Sequence, residues 1–199
     1  DIAFLDPSSD PAQDARFASG MRSLPTVLPM AIDTTSTGQI GEERPPAPLA
    51  SAAAALGFAT LDTPGGFTIG QPQEIDTGSS GTDANERLVS LAAATFERFT
   101  GKPVGAIPLD QGRMLYLPIE AQATQAQTGR VGAEQASLPI AEHIAFADAY
   151  AEPVADLRAL VNGKIVLIGS TAQALGDFAV TAGGRVPGVY ANARFIDQL

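Results

Sequence analysis

One stretch constrains the fold more than any other: Lys164-Ile165-Val166-Leu167-Ile168-Gly169. Four consecutive branched apolar residues stand between the Asn162-Gly163 turn and a glycine. A short run of this kind reads as a strand, and its lack of polar alternation suits a central strand covered on both faces. Covering both faces of a sheet takes a layer on each side. The run therefore predicts an α/β fold: a layered sandwich with a mostly parallel or mixed central sheet flanked by helices.

The rest of the chain supplies matching pieces. Phe4-Leu5 reads as a strand end, followed by a loop at Asp6–Pro11. Asp10 or Asp14 starts a short helix through Phe17 and Met21. Leu24–Ile32 reads as a buried strand and residues 34–48 as an exposed loop. An Ala-rich helix after Pro48 stops at Gly57, and Phe58–Leu61 is a strand. Between Thr63 and Asn85 only Phe67–Ile69 reads as a weak strand. Asp83 caps a helix over 84–99, with Leu88, Leu91, Ala92, Thr95, Phe96 and Phe99 on its buried face and Gly101 at its end. Ile107–Leu109 and Met114–Ile119 read as strands around an Asp110–Arg113 turn. Ile140–Tyr150 fits a short strand or a short helix. Val154–Leu160 reads as helix. A Gly/Pro-rich loop follows Gly169, and a last helix runs from about Val189 to Leu199.

Charge and composition exclude whole classes of function. The 199 residues hold 22 Asp+Glu against 12 Lys+Arg, a net charge of −10. That balance argues against binding a phosphate backbone, which needs clustered cations, so nucleic acid is not an expected partner. With no Cys and one His, His143, thiol-based zinc sites, iron–sulfur clusters and disulfides are out of reach. A metal would have to be a hard cation on carboxylates; no motif calls for one, and neither a metal nor a cofactor is expected. No apolar run approaches the roughly 18–20 residues of a membrane span, and no basic-then-apolar signal segment opens the chain. The abrupt start at Asp1-Ile2-Ala3-Phe4-Leu5 suggests an excised domain with targeting or membrane segments outside it.

Two short motifs touch on catalysis. Asp76-Thr77-Gly78-Ser79 matches the aspartic-protease signature, but that chemistry needs a second, equivalent Asp to share a proton, and no second such motif occurs. Ser170 follows the strongest strand signal, where open α/β sheets bind ligands. A serine hydrolase needs a Gly-x-Ser-x-Gly elbow and a base; Gly169-Ser170-Thr171-Ala172 is no elbow, and His143 is the sole candidate base. A hydrolase using Ser170 or Asp76 is thus the enzymatic alternative, and no catalytic residue is assigned. Ser170 and Thr171 also suit a local turn cap, and Asp177 a ligand contact or a cap. Gly65-Gly66 and Gly183-Gly184 read as turn formers, with no phosphate-cradling loop among them.

The last forty residues carry a resemblance. Leu160–Ala172, then Leu175-Gly176-Asp177-Phe178, Thr181 and Pro187-Gly188-Val189, resemble the closing segment of CHASE2 sensor domains. Ala193, Ile196 and Leu199 fall at the apolar positions of that family's final helix. Upstream, Asp1–Phe4, Asp14–Ala18, Leu24–Leu28, Gly57–Ala59 with Asp62 and Gly65, and Ser90–Ala92 are similar more loosely. Phe67–Ile69 stands where the family has an Arg-bearing segment, and Asn192 where it has a His. The resemblance implies a single domain over 1–199 lacking the family's first strand–helix–strand. It implies a periplasmic or extracellular sensor of a transmembrane receptor, followed by membrane helices and a cytoplasmic output such as an adenylate or diguanylate cyclase or a kinase. The partner is an unknown small molecule or periplasmic protein, and a homodimer is an option; a ligand-free dimerisation module is the third reading. Ser170, Thr171 and Asp177 are the expected ligand contacts, with the 183–188 loop as a rim.

Overall fold

A computed structural model of the chain describes residues 4–34, 40–60, 70–72, 74–76, 87–104, 114–116, 144–171, 178–181 and 184–199. Within these the fold is α/β, as the patterning predicts, but its sheet is not built around residues 164–169.

Helix α1, Pro11–Met21, starts where Asp10 predicts. The Asp10 Oδ1 accepts from the Ala12 N–H at 2.9 Å, and Pro11 takes the first turn, where its missing donor costs nothing. Asp14 Oδ2 accepts from the Ser8 N–H at 3.0 Å and ties the preceding loop to the helix.

Strand β1, Val27–Thr34, is the centre of a three-stranded sheet in the order β2-β1-β3. Strand β2, Ile40–Glu43, runs antiparallel to it, with Ala31 opposite Glu43. Strand β3, Ala55–Phe58, runs parallel, with Leu28 opposite Leu56 and Met30 opposite Phe58. Pro29 is tolerated inside β1 because the ladder to β2 begins only at Ala31. The single-turn helix α2, Ala47–Ala50, lies between β2 and β3.

Alternation gives the sheet two buried faces. Leu28, Met30, Leu56 and Phe58 share one. Leu28 packs with Ala18 and Met21 of α1 and with Leu49 and Ala52 around α2. Met30 and Phe58 pack with Leu88 of β6, Arg87–Val89. Pro29 and Gly57, register partners and both buried, share the opposite face. There α3, Leu91–Thr100, lies on β3 and β1. Helices thus cover both sides of the sheet. A further core joins α3 to the C-terminal region: Ala92 packs with Ala179 of β8, Phe178–Thr181, and with Ala191 and Phe195 of α6, Gly188–Asp197.

Several expectations are corrected. Residues 165–171 form no strand, and Val166 and Ile168 are 54% and 61% exposed. Burial alternates along the run, with Ile165 and Leu167 half-buried, so the segment has one inward side where the patterning predicts two. It follows α5, Val154–Val161, which has no buried residue, while the central place in the sheet belongs to β1. Phe4-Leu5 is not strand. Residues 34–48 hold β2, and its Glu42 and Glu43 are charges typical of a sheet edge, easily read as loop. Gly57 lies inside a strand and does not stop a helix. The region after Gly169 includes a hairpin, β8 with β9, Gly184–Pro187, where Phe178 faces Pro187. The helix expected over 84–99 is β6 followed by α3, capped by Ser90. Its end at Gly101, in the left-handed conformation at φ 69, is as expected. Ile140–Tyr150 resolves toward helix: α4 is Phe146–Ala151. The α5 helix and the terminal α6 fall where predicted. Met114–Tyr116 is a strand, β7, but it pairs with β4, Gly70–Pro72. Phe67–Ile69 and Ile107–Leu109 lie outside the described residues.

Candidate functional site

Open α/β sheets place ligands beyond the C-terminal ends of their parallel strands. Here that edge is made by β1, β3 and Ser90, which forms a parallel bridge with Phe58. The bridge brings β6, and with it β5 (Glu74–Asp76), alongside β3. The Ala59 N–H donates to the Met30 carbonyl at 3.2 Å, and the Thr60 hydroxyl donates to the Ile32 carbonyl at 3.3 Å. Ser90 is 0% exposed, and its Oγ accepts from the Ala93 N–H at 3.1 Å.

The start of α3 therefore stands directly at this edge. Leu91 through Ala94 are buried, so the first turn is occupied by packing. Thr60 and Ser90 are neutral hydrogen-bonding groups. Their chemistry is that of binding and positioning; neither forms a nucleophile–base pair.

Ser170 and Thr171 lie together, both half-buried, at the end of the segment that follows α5. Asp177, His143 and residues 182–183 lie outside the described residues. Asp76 ends β5, with Arg87 opposite it in β6; Thr77, Gly78 and Ser79 are also outside. Among the described residues no group of three or more His, Asp or Glu is placed to hold a metal ion. Among them, too, no helix is long and apolar enough to cross a membrane.

The sequence reading missed buried polar groups elsewhere. Gln71, in β4, is 0% exposed, and neither its Oε1 nor its Nε2 has a hydrogen-bond partner among the described residues. A glutamine in a stretch rich in Gly, Pro, Ser and Thr carries no signal of burial. Asn192 is 2% exposed and donates through Nδ2 to the Gly188 carbonyl at 3.2 Å. The helical spacing of Gly188, Val189, Asn192, Phe195 and Ile196 could have placed it on the inner face. Nearby on the same helix, the Arg194 Nε is buried without a hydrogen-bond partner among the described residues. Burial pushes the Tyr190 hydroxyl above its ordinary value of 10.0. On the C-terminal hairpin, the Arg185 guanidinium stands 5.0 Å over the Phe178 ring.

The family model that matches this chain is the CHASE2 domain, over residues 1–199. Comparison with the curated proteins found no match, and neither did comparison with the solved structures.

Proposed function

The chain belongs to the CHASE2 family of extracytoplasmic sensory domains, and from that premise we propose that it is the signal-input domain of a membrane-bound receptor. The domain lies in the periplasm or outside the cell. It binds a small molecule or a periplasmic partner and regulates a cytoplasmic cyclase or kinase through flanking membrane helices. A family match along the whole chain carries this reading, and a sensory family fits a domain that is not itself an enzyme.

A sensor of this kind works by differential affinity: a ligand shifts the output by as much as it prefers one arrangement over the other. Ser170, Thr171 and Asp177 are the proposed ligand contacts. The half-buried hydroxyls of the first two are in keeping with that role. The proposed transmitter is α6. Its Ala191 and Phe195 pack with Ala92 of α3, and α3 begins at the sheet edge, so a change at that edge has a packed route to the last helix. A homodimer, through which a receptor can pass such a change, belongs to the same proposal.

The test is a reading of the natural gene followed by a topology assay. Membrane helices and a cyclase or kinase beyond residue 199, with a reporter fused at the domain active only outside the cytoplasm, are the expected result. A cytoplasmic location would overturn the reading. So would a hydrolytic activity of the purified domain that Ser170→Ala or Asp76→Ala abolishes.

A further inference from the structure

Helices α4 and α5 follow one another with only Glu152 and Pro153 between them, and neither has a buried residue. Their inward side is Ala149, Leu157 and Val161, each half-buried. The large apolar side chains are left to solvent. Phe146 is 73% exposed, Tyr150 87% and Val154 74%, with Ile144 at 40% and Leu160 at 38%. Phe146 and Tyr150, four apart, share one face of α4. Apolar residues scattered singly over a surface are ordinary, but a concentration of this kind marks an interaction surface.

The area suits a dimer. At roughly 200 Å² for a whole aromatic side chain, Phe146 and Tyr150 alone leave about 300 Å² in water. A standard interface takes about 800 Å² from each partner, of which somewhat more than half, about 450 Å², is apolar. Ile144, Val154 and Leu160 supply the remainder.

The charges select the occupant. Asp148, Glu152 and Asp156 lie on the first part of the segment, Arg158 and Lys164 on the last, and all five are exposed. In a two-fold interface the same patch meets itself turned round, so residue i faces j and j faces i. The acidic part of one copy then stands against the basic part of the other, twice over. Two copies of a chain at −10 repel in general; this segment brings its own counter-charges to the meeting. An anionic lipid surface would face the three carboxylates and is disfavoured.

We propose that α4 and α5 form the face through which two copies of this chain pair across a two-fold axis, with Phe146 and Tyr150 as its apolar anchors. This deepens the receptor reading and rests on it for its role in signalling, since it names the surface of the homodimer.

The experiment is sedimentation equilibrium of the chain from about 1 μM to about 1 mM, the span of weak to moderate affinities. A reversible monomer–dimer equilibrium is expected. Phe146→Ser and Tyr150→Ser are each expected to raise its Kd about tenfold or more, while the melting temperature of the dilute chain stays unchanged. Glu152→Lys and Arg158→Glu each weaken the dimer, and mixing these two variants restores it, because each then meets its complement. A chain that stays monomeric throughout overturns the proposal, whether or not it binds a cationic peptide or lipid vesicles. So does a dimer that all four variants leave intact, or one that mixing does not restore. A lower melting temperature of dilute Phe146→Ser and Tyr150→Ser would overturn it too, by showing that the chain itself covers this face. Association is measured on the domain in solution, so this failure is distinct from a failure of the topology assay.

Discussion

Gly57 and Leu91 meet backbone to backbone: a methyl group on Gly57 would stand 2.6 Å from the Leu91 Cα and 2.8 Å from its nitrogen. The absence of a side chain at Gly57 is what lets α3 start directly on β3. Leu91 is also the residue after Ser90, whose bridge to Phe58 extends the sheet. Gly57→Ala is therefore expected to force apart backbone segments that have no flexible end to give way, at about 1–3 kcal/mol. Urea unfolding at neutral pH measures it. Gly20→Ala is the control. Gly20 lies inside α1 with nothing within 4 Å of its added methyl, so that change is expected to stabilise by about 0.5–1 kcal/mol. Equal effects at the two positions would show that α3 can move off the sheet at little cost.

Ser90 makes a second prediction at the same junction. Its hydroxyl is the cap of α3, and it is fully buried. Ser90→Ala leaves the Ala93 N–H without its side-chain acceptor, where water cannot replace it. The expected loss lies toward the upper part of the usual range of about 0.5–2 kcal/mol. Asp10→Ala removes the cap of α1 in an exposed setting, where water substitutes, and is expected near the lower end. Parallel denaturant curves for the two variants, against the parent, check the order.

How much of this is legible in the sequence depends on whether local chemistry or long-range pairing decides an element. Asp10 with Pro11, Gly101, and the apolar spacing of α5 and α6 act within a turn or two of helix, and they can be read from the chain directly. The identity of the central strand is a different matter. It is settled by which strands pair, and Val27–Thr34 takes that place over the more apolar run at 164–169. Leu88 shows the same limit in small: its place among apolar residues at 3–4 spacing fits a helix face, yet it is buried from a strand. Gly57 reads as a helix stop because glycine is ambiguous in sequence, and only the approach of Leu91 explains it. As for the candidate site, Ser170 and Thr171 stand out as hydroxyls after an apolar run. Gln71 does not stand out at all, because nothing in a sequence tells a buried glutamine from an exposed one.

Phe195 anchors the union of α3, β8 and α6. It is 0% exposed and packs with Ala92, Ala179 and Ala191. Its three buried neighbours are alanines, which have little side chain to collapse into the space it leaves. Phe195→Ala is expected to cost about 3–5 kcal/mol. Phe195→Leu, which keeps most of the volume, should cost clearly less. Hydrogen exchange followed by mass spectrometry localises the effect: faster exchange is expected in α6 and β8 before α1. A loss spread evenly over all elements would count against a distinct C-terminal core.

Tyr190 gives the chain a defined response at high pH. Burial raises the pKa of its hydroxyl in the folded state, so the folded form holds the phenolic proton more tightly than the unfolded form. Below the unfolded value of 10.0 both states are protonated and the stability contribution is fully present. As pH rises through the folded pKa the unfolded state releases its proton first, and that contribution is lost. Chain stability is thus expected to fall above about pH 10, and Tyr190→Phe should flatten that fall relative to the parent. The two proteins differ only at position 190, so the difference between the two curves isolates Tyr190. Identical slopes would sink the assignment.

Val166 and Ile168 give the sharpest test of where the sheet lies. Had 164–169 been a central strand covered on both faces, a lysine at position 166 would bury an unpaired ammonium, among the most damaging substitutions available. With 54% and 61% of these residues exposed, the charge meets solvent instead. Val166→Lys and Ile168→Thr are each expected to change stability by no more than about 0.5 kcal/mol. The central strand β1 offers no such escape. Met30 is 3% exposed and packs with Phe58 and Leu88, so Met30→Lys is expected to prevent stable folding. Circular dichroism melts of the three variants decide between the two placements. A collapse of Val166→Lys with a tolerant Met30→Lys would return the central position to residues 164–169.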